Sequence, residues 1–105
     1  MNTPPRILIV DDEPFNVDYL EQELSDFGYE LLTATNGEEA LEKIRTASPD
    51  LVLLDIMMPI MDGFAVLDHA KADTTIRDIP IIIISANNDL QSVVKGLKKG
   101  AEDYL

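Results

Sequence analysis

Four short apolar runs limit the folds open to this chain: Ile7-Leu8-Ile9-Val10, Leu31-Leu32-Thr33-Ala34, Leu51-Val52-Leu53-Leu54 and Ile81-Ile82-Ile83-Ile84. Three of them are apolar throughout, without the alternation of a half-exposed strand, and such runs suit strands buried on both faces of a parallel sheet. The segments between them carry a helical period: Val17, Leu20, Leu24 and Phe27; Ala40, Leu41, Ile44 and Ala47; Phe64, Leu67 and Ala70; Leu90, Val93, Val94 and Leu97. Turn and cap residues agree with these boundaries. Pro14 suits a first helical position, Asn36 can cap the second helix, Gly28 and Gly100 suit helix ends, and Pro49 and Pro80 precede strands. Residues 101–105 read as the start of a fifth strand. The alternation predicts a single doubly wound α/β domain with a parallel five-stranded sheet.

A chain of this kind suits the strand order 2-1-3-4-5, in which the winding reverses between the first and third strands. Right-handed crossovers then place the first helix on one face and the second, third and fourth on the other. A helix is roughly 10 Å wide and strands repeat at about 4.8 Å, so one helix cannot cover one face of five strands. The expectation is therefore one domain over residues 1–105, incomplete at its C-terminus, with the last helix missing and the natural chain continuing past Leu105.

Length and composition narrow the function. The chain has 105 residues, enough for one core, and 46% of them are hydrophobic, too many for a disordered segment. Twenty acidic residues against eight basic ones give a net charge of -12, which disfavours direct contact with nucleic acid or an anionic membrane. The chain has no cysteine, hence no thiolate metal site and no disulfide, in keeping with a cytoplasmic location. No stretch approaches the roughly 20 apolar residues of a membrane span. Most of the acids fall on helix faces and read as solvated surface.

Ligands of doubly wound sheets bind at the winding reversal, beyond the carboxyl ends of the strands. There the first strand runs into Asp11-Asp12-Glu13 and the third into Asp55. Asp11 and Asp12 alone would equally suit the start of a helix. Brought against Asp55, they repel one another, so a pKa rises or a cation binds. An oxygen-only donor set favours a hard cation such as Mg²⁺. Ser85 ends the fourth strand, where its hydroxyl either donates to a bound anion or simply terminates the isoleucine run. The loop Met57-Met58-Pro59-Ile60-Met61-Asp62-Gly63 is unusually apolar, and its methionines are expected to fill gaps. His69 reads as a surface residue, and Lys95, Lys98 and Lys99 as a solvated helix face.

On the segments ILIVDDE (7–13), DLVLLDIMMPIMDG (50–63), IIIISA (81–86) and GAEDYL (100–105), the chain resembles the receiver domains of bacterial two-component response regulators. The resemblance implies a flavodoxin-like fold and a phosphoacceptor role in a phosphorelay. Asp55 would take a phosphoryl group from a histidine kinase's phosphohistidine, or from a small donor such as acetyl phosphate. Asp12 and Asp55 would ligate Mg²⁺ directly, Asp11 through water, and Met57 through its backbone carbonyl. Ser85 would be the switch hydroxyl and Tyr104 the switch aromatic. The lysine that the family places at the end of the fifth strand falls just beyond Leu105.

The implied partners are a sensor histidine kinase or phosphotransfer protein and an output domain or effector, with a homodimer as a further expectation. On this reading the chain is not a turnover enzyme; its chemistry is limited to autophosphorylation and autodephosphorylation at Asp55. An alternative is a receiver-like interaction domain that is not phosphorylated in this truncated form. An aspartyl phosphatase is a second, against which stands the lack of any insertion that could cap a substrate.

Overall fold

The computed structural model describes residues 4–84 and 90–104. Its elements alternate as the apolar runs require: β1 (Arg6–Val10), α1 (Pro14–Ser25), β2 (Glu30–Ala34), α2 (Gly37–Ala47), β3 (Leu51–Leu54), α3 (Gly63–Ala72), β4 (Ile81–Ile83), α4 (Leu90–Lys98) and β5 (Asp103–Tyr104). The five strands are parallel and ordered β2-β1-β3-β4-β5. This is the doubly wound, flavodoxin-like arrangement expected from the sequence. Among the described residues no helix is long and apolar enough to cross a membrane.

Strand residues alternate between two cores. Leu8, Val10, Val52, Leu54, Ile81 and Ile83 point to one face, where Ala40, Leu41 and Ile44 of α2 and Val66, Leu67 and Ala70 of α3 close over them. Ile7, Ile9 and Leu53 point to the other, under Val17, Leu20 and Leu24 of α1. The crossover rule therefore holds: among the described residues α1 is the one helix on its face, and none of its residues is fully buried. Ile82 and Ile84, on the same face, stay partly exposed.

Local signals explain most of the helix ends. The Asn36 side chain accepts from Glu39 N at 2.9 Å while the Glu39 carboxylate accepts from Thr35 N at 3.2 Å, so two otherwise unpaired amides at the start of α2 are satisfied. Pro14 opens α1 and Asp62 caps α3. One expectation needs correcting. Phe27 is not part of the first helix, which ends at Ser25; it is 67% exposed and stacks on Tyr29 with ring centroids 5.9 Å apart. The chain reverses at Gly28, whose φ is +78°, to reach β2, so the helical period cannot extend to residue 27.

Candidate functional site

The register of β1 against β3 builds the site. Val10 lies opposite Leu54, and the ladder runs one step further through Asp55 N to Val10 O at 2.9 Å, while Asp11 N reaches Ala34 O at 3.0 Å. The first residue after each strand is thus held by the sheet, and in both cases it is an aspartate. Carboxylate oxygens of Asp11, Asp12 and Asp55 lie within 4.8 Å of one another.

Their surroundings differ. Asp11 is buried, at 7% exposure, and Asp12 is exposed. The Asp11 carboxylate accepts from Glu13 N at 2.9 Å and from the Asn16 side chain, yet burial still pushes its pKa up. Asp55 is half-buried, and its pKa is raised to about 6, first by loss of solvent and then by the charge of Asp11, against the opposing bonds donated by the Met57 and Ile56 amides. Two of the three carboxylates therefore resist ionisation. Among the described residues no lysine or arginine forms an ion pair with any of them.

The loop after Asp55 is tightly folded. Ile56 O accepts from Met58 N at 3.1 Å and from Gly63 N at 2.9 Å, which closes residues 57–62 into a loop. Gly63 is required by a close approach, since a Cβ there would lie 2.5 Å from Asp55 O. Met61 N reaches back to Pro59 O at 2.7 Å across Ile60, whose φ is +71°. That is a three-residue turn in its strained form, with a β-branched residue at its centre. Met58 and Met61 fill gaps beside the core as expected, whereas the Met57 side chain is 66% exposed.

The expected site residues fall into two groups. Asp11, Asp12 and Asp55 come together, with Met57 two residues beyond Asp55. Ser85 and the side chain of Tyr104 lie outside the described part of the chain; the backbone of Tyr104 pairs with Ile83 in β5. His69 is an exposed residue of α3. On α4, Lys95 and Lys98 are exposed, and Lys99, just past the end of the helix, is half-buried; Lys95 sits 4.3 Å from the centre of the Phe64 ring, and Lys99 pairs with Asp68 at 2.8 Å. Sequence reasoning missed Asn16 and the strained turn at Ile60. Asn16 could have been found from its place on the first turn of α1, one turn from Asp12, whereas no local pattern announces a positive φ at isoleucine.

Two adjacent strand ends, three clustered carboxylates and a closed loop on a 2-1-3-4-5 sheet define a receiver-type signalling domain. Residues 7–105 match the family model of the response regulator receiver domain, and the chain belongs to that family. It is 43% identical over 105 residues to "Probable transcriptional regulator ycf27" of Guillardia theta and 45% identical over 100 residues to "Response regulator PleD" of Caulobacter vibrioides. Those matches cover 100% and 95% of this chain, but the chain spans only 40% of the first relative and 22% of the second. Among solved structures it is similar to the N-terminal domain of a response regulator receiver protein from Methanoculleus marisnigri, with a TM-score of 0.87 and 42% identity over 95% of this chain and 81% of that one. It is also similar to the chemotaxis response regulator CheY4 of Vibrio cholerae, with a TM-score of 0.90 and 30% identity over 98% and 86%.

Proposed function

We propose that the chain is a phosphoacceptor module in which Asp55 takes a phosphoryl group from a phosphohistidine on a sensor kinase or phosphotransfer protein. The carrying observation is the meeting of Asp11, Asp12 and Asp55 at the ends of neighbouring strands, with the Asp55 carboxyl raised to about 6. A carboxylate oxygen of Asp55 attacks phosphorus, the P–N bond to the imidazole breaks, and the product is an aspartyl phosphate. The backbone amides of Ile56 and Met57 hold the Asp55 carboxylate toward the donor.

The donor set fits Mg²⁺. It is all oxygen, it is strained by like charge, and Asp12 is open to solvent for waters and phosphate oxygens. Asp12 and Asp55 would bind the ion directly, Asp11 through water, and the Met57 carbonyl would complete the protein's share. When bound, Mg²⁺ neutralises the acid cluster and the phosphoryl oxygens. The family resemblance assigns Ser85 as the hydroxyl that turns to the phosphoryl group and Tyr104 as the aromatic that follows it.

The new dianionic group on Asp55 is the signal, read by an output domain or effector protein, and hydrolysis of the acyl phosphate ends it. The chain acts as acceptor and switch, not as a turnover enzyme, in the cytoplasm, and without touching nucleic acid or membrane itself.

The test is intact-mass measurement after incubation with Mg²⁺ and acetyl phosphate. The chain is expected to gain one phosphoryl group, and Asp55→Asn and the Mg²⁺-free chain to gain none. Equal labelling of Asp55→Asn would overturn the assignment.

A further inference from the structure

The strained turn at Ile60 needs something to hold it, because a conformation of this kind persists only where its surroundings over-determine it. One restraint is the pair of hydrogen bonds that Ile56 O accepts from Met58 N and Gly63 N, which closes the loop. The other comes from α2. A Cβ on Gly37 would lie 2.6 Å from Met61 O, 2.7 Å from Met61 Cβ and 2.8 Å from Met61 Cγ. Gly37 is not among the glycines with positive φ, so its own backbone does not require glycine. The requirement is room for residue 61. The first turn of α2, fixed by the Asn36 and Glu39 caps, therefore seats directly on the loop that begins at Asp55.

From this contact we infer that Gly37 is a positioning residue for the acceptor site. By letting Met61 approach the capped start of α2, it sets the path of residues 56–62 and so the placement of Asp55 and the Met57 carbonyl toward a cation. The inference rests on the Mg²⁺ reading of the site. Ala at residue 37 forces the loop outward by several tenths of an ångström, because the nearest obstacles are a backbone oxygen and the base of a side chain rather than a flexible tip. Displacement at residue 61 is passed back through Ile60, whose strained turn has no slack, to the segment that follows Asp55. Residues that hydrogen-bond to metal ligands are typically worth about 10-fold or more in affinity, and a packing restraint on the ligand-bearing loop is expected at the low end of that range.

The experiment is calorimetric titration of the chain and of Gly37→Ala with MgCl₂, alongside thermal unfolding and phosphorylation by acetyl phosphate at low and saturating Mg²⁺. Gly37→Ala is expected to bind Mg²⁺ about tenfold more weakly, with phosphorylation impaired at low Mg²⁺ and largely recovered at saturation. Ile44→Val, a buried change on the same helix, supplies the comparison: it lowers Tm and leaves Mg²⁺ affinity unchanged. A purely structural role for Gly37 predicts the Ile44→Val pattern in Gly37→Ala too, and that result overturns the inference while the site reading stands. A parent chain that binds no Mg²⁺ overturns both. If Gly37→Ala does not fold, Ile60→Gly probes the same restraint from the loop side. It is expected to weaken Mg²⁺ binding severalfold while raising Tm, and unchanged affinity there overturns the inference.

Discussion

The sheet interior and its carboxyl edge are built from the same strands, yet they are organised toward opposite ends. A single peptide bond joins Leu54, fully buried among apolar neighbours, to Asp55, which resists its own charge. The interior is satisfied: among the described residues no buried side-chain nitrogen or oxygen lacks a hydrogen bond. The edge is strained, by mutual repulsion of carboxylates and by the positive φ of Ile60. Stability therefore resides in the interior, and the edge gives some of it up to hold a geometry that an ion or a phosphoryl group completes. Substitutions in the two regions should accordingly differ in sign.

The largest effect is expected in the interior. Leu67→Ala empties a fully buried position between α3 and the sheet and should cost about 3 kcal/mol in urea denaturation. Leu20→Ala, its counterpart on the thinly covered α1 face, should cost about half as much, since its site is already partly hydrated. Equal losses would mean that the two faces are equally well packed in solution.

At the edge, Asp55→Asn should stabilise the Mg²⁺-free chain at pH 7.5 by about 2 kcal/mol, a shift of roughly two units at about 1.36 kcal/mol each, reduced for access to solvent. The folded pKa of Asp55 is raised from 3.8 to about 6, so the folded state binds a proton that the unfolded chain has released, and stability falls as pH rises through this window. The advantage of the Asn variant should therefore shrink below pH 6, disappear only below the unfolded pKa of 3.8, and be offset by saturating Mg²⁺, which stabilises the parent more than the variant. Thermal melts across pH with and without Mg²⁺ read this directly.

Ile60→Gly should raise stability by about 1 kcal/mol, because glycine occupies this φ without strain and the lost side chain is 73% exposed. A loss of stability would show that the Ile60 side chain packs in solution. The smallest effect is expected at the surface. Arg45→Ala breaks an exposed pair with Asp73 and should leave the unfolding midpoint nearly unchanged, because solvent screens such a pair. Asp73 should remain ionised in that variant down to low pH, because its pKa of about 2 owes more to hydrogen bonds from Thr75 than to Arg45.

Much of this was legible in advance for identifiable reasons. Ile7 to Val10 and Leu51 to Leu54 announce buried parallel strands because their lack of alternation leaves no face for water, and Asn36 and Pro14 mark helix starts through purely local chemistry. Asp11 and Asp55 could be paired across 44 positions because a parallel sheet of this winding brings the ends of its first and third strands together. Phe27 was misread for the complementary reason: a helical period says nothing about where the chain must turn to meet its neighbour.

The sequence by itself determined the order of elements, the faces they bury and the three carboxylates at the winding reversal, since hydrophobic period, caps and crossover handedness act over short range or by general rule. Only the tertiary structure decided which carboxylates are hard to ionise, that Asn16 supports Asp11, and that Gly37 is small for the sake of Met61. Each of those depends on distances between segments far apart in the chain, and burial, repulsion and close contact exist only once the segments are packed.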